Sequence, residues 1–253
     1  MTVFLCEDSV CGILTGVYDA WGSKKGHANV KLALKEGYQP ELFMDCQYVK
    51  TDAEKADKVL RTLNRKMYRE DFEALYRAIL SKDSQKADSI YKMIVLALHT
   101  EKKLIHALEN PTVFSVFEMA RKTEREAAHY LEFLRFRELE NGILFSVIAP
   151  QAQVLPLIGV HFADRFPMEN FAVFDKTHQA MLIHEAGKEW LIREDIEVFD
   201  ETKLKLSESE KEMSQGWQIF FDTIAIKERK MKSCSSKLLP LKYRPYQTEH
   251  LEK

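Results

Sequence analysis

Phe133-Leu-Arg-Phe-Arg-Glu-Leu-Glu-Asn-Gly-Ile-Leu-Phe-Ser-Val-Ile148 is the stretch that decides the fold. Two apolar runs flank Asn141-Gly142, and Asn-Gly suits the two positive-φ positions of a type I′ hairpin turn. A two-residue loop pairs Glu140 with Ile143, Glu138 with Phe145, Arg137 with Ser146, Phe136 with Val147 and Arg135 with Ile148. Alternation along the strands then puts Leu134, Phe136, Phe145 and Val147 on one apolar face and Arg135 with Arg137 on the other. Two guanidinium forks on one face can grip a phosphate or carboxylate; the alternative is a pair of solvated strand residues beside acidic neighbours. Downstream, His161-Phe-Ala-Asp-Arg-Phe-Pro167 has helical spacing. A second hairpin ends at Trp190, with Asp175-Lys-Thr177 as its turn.

A chain of 253 residues can form one large domain or two modest ones, each with a real core. Apolar content of 45% and charged content of 30% are those of a soluble globular protein. A net charge of −2 predicts no bulk attraction to nucleic acid or membrane, so any such contact needs a local patch. No apolar run approaches the ~20 residues of a membrane span, and the first residues lack the basic start and apolar core of a signal peptide. The expectation is a cytoplasmic protein without membrane association. Cys6, Cys11, Cys46 and Cys234 form no C-x-x-C pair, no zinc-finger spacing and no Cys-x-x-x-Cys-x-x-Cys run. Neither a metal nor a cofactor is expected on this chain.

Upstream of the hairpin, Thr2–Cys6 reads as a strand, followed by a helix capped by Asp8 or Ser9 and running to about Trp21. Residues 22–40 read as polar and turn-rich, and 47–50 as a second strand. Thr51-Asp-Ala-Glu54 has capping-box spacing and opens a helix to about Met67. Helices over 70–81 and 85–108 follow, and Asn110-Pro111 opens another to about Leu131. Past the strands, Ser207-Glu-Ser-Glu210 caps a helix over about 208–227, with Trp217, Phe220, Phe221, Ile224 and Ile226 as a core-facing stripe. From Ile226 to Lys253 there are eight Lys or Arg against three Glu, a basic tail on an acidic chain. The expected architecture is α+β: a mostly helical region over 1–110, then an α+β domain over 111–253. That domain holds a small antiparallel sheet over about 133–193 with an inserted helix, a C-terminal helix and the tail.

At Arg125-Glu-Ala, Phe133-Leu-Arg-Phe-Arg, His161-Phe-Ala-Asp-Arg-Phe-Pro, Thr223-Ile-Ala-Ile-Lys-Glu-Arg and Pro240-Leu-Lys-Tyr-Arg, the chain resembles a bacterial family. These are the radical-SAM-linked DNA metabolism and repair proteins, whose C-terminal domain of unknown function is also found fused to uracil-DNA-glycosylase-like domains. The resemblance implies a DNA setting and a radical-SAM partner that carries the iron–sulfur cluster. The chain departs from the family pattern at Ala128, where a histidine is implied and the nearest is His129. Glu132 stands where a small residue is implied, and Met231–Ser235 replaces an Asn-Pro-x-x-Gln segment.

Three groups of residues are candidates for a site. His161, Asp164 and Arg165 share a helical face, where His161 and Asp164 could move protons and Arg165 hold an anion; alternatively Asp164 and Arg165 pin the helix to the sheet while Phe162 and Phe166 enter the core. Arg135 and Arg137 form the proposed anion grip. Lys242, Tyr243 and Arg244 alternate cation and aromatic, which suits phosphate neutralisation and base stacking; alternatively the tail packs back with Tyr243 buried. Three functions follow: an accessory or nucleic-acid-binding protein in DNA repair or modification, an enzyme on a nucleotide or damaged base, and a protein–protein scaffold without DNA contact.

Overall fold

The structure, a computed structural model, describes residues 1–40, 42–100, 102–194, 196, 204–224 and 240–248. Contacts divide the chain into two compact units, Met1–Arg125 and Glu126–Lys253, and the boundary falls inside one helix.

Unit 1 opens with strand β1 (Thr2–Cys6), every residue of which is buried. Helix α1 (Val10–Gly22) starts at Ser9, whose hydroxyl accepts the Gly12 amide and satisfies one of the free N–H groups of the first turn. The chain returns as β2 (Val30–Leu34), continues through β3 (Asp45–Tyr48), and both strands pair parallel to β1 in the order β2-β1-β3. The expected polar turn region therefore contains a strand. Val30, Leu32 and Leu34 alternate with Lys31 and Ala33 to give a buried, half-buried period of two. Helices α2 (Ala53–Lys66), α3 (Arg69–Ile79) and α4 (Lys86–His99) complete the core around Ile13, Leu14, Leu63, Leu75, Ile90 and Ile94.

The cap of α2 is Asp52, not Thr51: its Oδ1 accepts the Glu54 and Lys55 amides, while the Thr51 hydroxyl donates to Glu7 at 2.5 Å. Helix α4 ends at His99, short of the expected 108, and a 3-10 turn at Leu104–His106 is pinned by buried Asp71, which accepts the Leu104 and Ile105 amides. Helix α5 (Pro111–Phe133) is capped by the Asn110 side chain, as the Asn-Pro pair predicts.

Unit 2 carries the α+β expectation, with a sheet of order β4-β5-β6-β7-β8. The strands are β4 (Arg137–Glu138), β5 (Leu144–Ile148), β6 (Phe171–Asp175), β7 (Ala180–His184) and β8 (Leu191–Arg193). Helix α6 (Leu155–Arg165) lies between β5 and β6 in sequence, and those two strands are parallel, so the sheet is mixed and not purely antiparallel. A parallel pair cannot be closed by a tight turn and needs a crossover, which α6 supplies. The helix comes close to the sheet at Gly159, where a Cβ would lie 2.5 Å from Leu182 and 3.2 Å from the Trp190 ring.

The decisive hairpin forms one residue out of the expected register. Arg137 pairs with Phe145 and Glu138 with Leu144, and the Leu139 amide bonds the Ile143 carbonyl. Three residues, Glu140–Gly142, make the loop, and only Gly142 has positive φ, at 77°. A type I′ turn needs two such residues, so the loop takes an extra residue before its glycine. A one-residue slip reverses faces. Phe136 thus packs edge-on against Phe162, Phe166 and Phe171, while Phe145 and Val147 join Leu139, Ala172 and Phe174 in a separate cluster.

Helix α7 (Glu208–Ile224) starts as the sequence predicts, with the Ser207 hydroxyl accepting the Glu210 amide. The Glu210 carboxylate turns instead to the Glu138 amide at 3.1 Å. The stripe of α7 is not a core face: no residue of the helix is buried, and Trp217, Phe220 and Ile224 are 44%, 52% and 57% exposed. Ile226, Lys227, the basic run to Lys237, Met231–Ser235 and Lys253 lie outside the described residues.

Candidate functional site

The expected arginine pair does not form. Arg135 sits in the bend after α5, where its guanidinium donates to the Glu132 and Leu134 carbonyls at the helix end, 3.2 and 3.3 Å away. Carbonyls at a helix C-terminus are a natural seat for a cation. Arg137 lies half-buried on β4, on the Phe145 face. His161, Asp164 and Arg165 do share the outer face of α6, and all three are exposed. Phe162 enters the core beside them, and Arg165 lies 5.7 Å from the Phe166 ring centroid. Asp164 and Arg165 make no ion pair among the described residues. Among the described residues His161 has a ring contact with Phe162 at 5.3 Å and no hydrogen-bonded partner that would orient it, so the trio does not form an oriented acid–base pair there.

The tail packs back. Residues Leu241–Tyr246 form a 3-10 helix, and Tyr243 is 2% exposed, with its ring against His129, Tyr130 and Phe133 at centroid distances of 5.5, 5.0 and 5.7 Å. Lys242 reaches the Glu126 carboxylate at 2.6 Å. Glu126 also accepts the Gln151 and Ala152 amides at 3.1 and 2.9 Å, so this one carboxylate ties α5, the loop after β5 and the tail together. Burial alone would push its pKa up; the Lys242 ammonium and the two amides together outweigh that and hold the carboxyl below the usual range. Lys242 moves the other way, above the ordinary lysine value, because Glu126 outweighs the burial that would lower it. Tyr243 is enclosed and cannot serve as a stacking platform. Lys242 is bound to Glu126, and the Arg244 side chain is also engaged.

Ala128 and Glu132 lie on the exposed side of α5, while His129 turns to the Phe133 and Tyr243 rings.

A different polar group stands at the carboxyl ends of the parallel pair β5–β6, where open parallel strands commonly leave a binding crevice. Asp175 ends β6 opposite Ile148 and is 1% exposed. Its Oδ1 accepts the Thr177 and His178 amides at 2.9 and 3.2 Å, which shapes the turn. Its Oδ2 lies 2.6 Å from His178 Nδ1. A carboxylate can only accept, so Nδ1 carries a proton, and in the neutral ring Nε2 is the nitrogen with the lone pair, on a side chain 26% exposed. The Tyr130 hydroxyl is close enough to feel these charges. It is held well above the ordinary tyrosine range, by burial first and then by Tyr243, Glu126 and Asp175.

Such an imidazole, oriented by a buried carboxylate, can take a proton from a hydroxyl or water and return it to a leaving group. The turn at Asp175–Thr177 is legible in the sequence, and the spacing Asp-x-x-His is the signal for the pair. Among the described residues no group of His, Cys, Asp and Glu is arranged to hold a metal ion. No helix among them is long and apolar enough to cross a membrane.

Comparison with curated proteins gives no match to the chain. The sequence profile of a domain of unknown function, DUF4130, matches residues 84–249. That span runs from α4 into the tail as far as Glu249, including Glu126, Asp175, His178 and Lys242, and on this match the chain belongs to the DUF4130 family.

Proposed function

We propose that the protein serves DNA repair or modification beside a radical-SAM enzyme, and that its family domain moves protons on a nucleotide or damaged base. The DNA setting and the partner rest on the resemblance of the sequence motifs. The chemistry rests on one observation, the 2.6 Å contact between buried Asp175 and His178 Nδ1. In this reading His178 Nε2 is the acid–base group and Asp175 fixes its tautomer. The test is mass spectrometry of single-stranded and duplex oligonucleotides carrying uracil or other base lesions, incubated with the full chain with and without the radical-SAM enzyme. A new product that vanishes in His178→Ala and survives in His161→Ala and Asp164→Ala is the expected result. Equal product from His178→Ala would remove the acid–base role.

The exposed apolar side of α7 favours a second reading, a scaffold that docks the radical-SAM partner without touching DNA. Met213, Trp217, Phe220 and Ile224 recur at helical spacing and are 70%, 44%, 52% and 57% exposed. Co-elution of the two proteins, abolished by Trp217→Glu with Phe220→Glu, is the outcome this reading requires.

A further inference from the structure

Unit 1 contains an apolar groove of about 490 Å³ between α1, α2 and α4. The volume lies within the range of sites that hold a small organic ligand. Its floor is aliphatic, from Leu63 and Ile94 among others. Its walls include Tyr18 and Trp21, which stay 38% and 39% exposed although the surrounding positions are core. No carboxylate lines it, and its charged members are Lys58 and Lys66.

Those two lysines differ from Lys55 and Arg61 of the same helix. Lys55 is tied to Asp19 at 2.7 Å and Arg61 to Asp57 at 2.6 Å. Lys58 and Lys66 have no carboxylate partner among the described residues; Lys58 Nζ lies 5.9 Å from the Tyr18 ring centroid. With Thr62 between them they occupy positions i, i+4 and i+8, one face of the helix and about 12 Å end to end. Among the described residues Arg65, outside the groove, makes no salt bridge either; Lys58 and Lys66 line the groove and no carboxylate does, so the groove presents positive charge to an occupant.

Trp21 is also held in place. Its ring contacts His27 at a centroid distance of 4.5 Å and His99 at 6.3 Å in a stacked arrangement. His27 in turn is hydrogen-bonded to the hydroxyl of buried Tyr91 at 2.8 Å. Neither histidine lines the groove. An indole braced by two rings outside the groove loses little freedom when something stacks on its remaining surface. A flexible alkyl chain would gain nothing from that bracing; a flat ring would.

We propose that this groove binds a nucleotide, with the base against Trp21 and Tyr18 and the phosphate between Lys58 and Lys66. The base and phosphate come either from a free mononucleotide or from one nucleotide of a single strand; both present the same chemistry. A base paired inside a duplex does not, because its faces are already stacked. The site is separate from Asp175–His178 and does not depend on that pair.

The experiment uses the full chain with a fluorescently labelled twelve-residue oligothymidylate, unlabelled thymidine monophosphate and adenosine monophosphate as competitors, and the same oligomer in a duplex. Binding of the strand, the mononucleotides or both supports the site, and the pattern identifies the source. Lys58→Glu with Lys66→Glu weakens binding at least about tenfold and lowers the slope of log K against log salt by about 1.4, two phosphate contacts at ~0.7 each. Trp21→Ala weakens it by about tenfold, and Trp21→Phe restores most of the loss by returning a flat face. Far-UV circular dichroism of each variant separates lost binding from lost folding, and the lysine changes remove no ion pair. His178→Ala leaves binding unchanged, so failure of this site and failure of the acid–base pair are read independently. The proposal is overturned if neither probe binds, if the duplex binds as well as the strand, or if affinity is indifferent to both the lysine and the tryptophan changes.

Discussion

Two buried carboxylates stand near the same end of the sheet of unit 2, and they are used differently. Glu126 is tied by two loop amides and an ammonium, and none of these partners is a group that could pass a proton on to a substrate. Asp175 is more deeply buried, yet one of its three partners is an imidazole whose second nitrogen remains available. A carboxylate whose partners are all consumed acts as a brace. One that ends in a half-exposed titratable ring passes its orienting effect outward. Burial and short contacts alone do not separate a structural carboxylate from a functional one; the valence left over on the partner does.

The sharpest way to break that contrast is to delete each brace in turn and follow unfolding of unit 2 in urea. Glu126→Ala strands two amides and an ammonium and is expected to cost about 3 kcal/mol, toward the low end for a broken buried pair because Lys242 is half exposed. If it costs less than Lys242→Ala, the brace assignment is wrong. Asp175→Ala removes the acceptor of two turn amides and is expected to cost about 2 kcal/mol, whereas Asp175→Asn retains an acceptor oxygen and costs less. Gly159→Ala, at the close approach of α6 to the sheet, is expected to cost about 1–2 kcal/mol through overpacking against Leu182 and Trp190. His178→Ala sits at the other extreme, with an expected cost under about 1 kcal/mol for a partly exposed side chain. A large loss there would make His178 another brace and erase the distinction.

Acid adds a directional check. The Glu126 carboxyl is lowered in the folded chain, so its contribution is complete above the unfolded carboxylate value and is lost as pH falls through the folded one. Stability measured across that acid window should fall more steeply in the natural chain than in Glu126→Gln, which has no proton to gain there.

Legibility followed the range of the physics involved. Ser9, Asn110 and Ser207 could be read as helix starts because a cap is settled within four residues. The Asn-Gly signal located the hairpin but not its register, since one extra loop residue is invisible to a dipeptide rule and is decided by which face Phe136 and Phe145 can bury. The parallel pairing of β5 with β6 was hidden for a related reason: a short helix between two strands does not announce that the second will lie beside the first in the same direction. The candidate site was the least legible part. Asp175 and His178 are three residues apart, yet Glu126, Tyr130 and Lys242 reach the same end of the sheet from segments more than a hundred residues apart. The Tyr18–Trp21 wall could not be distinguished from an ordinary core face before α2 and α4 were placed around it. Tyr243 reads from sequence equally as a stacking residue or as a buried ring, because a Lys-Tyr-Arg run suits both, and tertiary packing decides for the second.

The outermost strands of the unit 2 sheet are short, two residues in β4 and three in β8. An edge strand offers unpaired amides and carbonyls to any extended chain that drifts past, and the length of that template sets how firmly a stranger can add to it. The β4 rim is already occupied, since the Glu138 carbonyl accepts the Ser207 amide and the Glu138 amide donates to Glu210, and β8 gives an intruding strand only three residues of ladder beside Arg193. The fold thus resists edge-to-edge aggregation of its own sheet while leaving β5 and β6, the strands that carry its polar cluster, fully enclosed between neighbours.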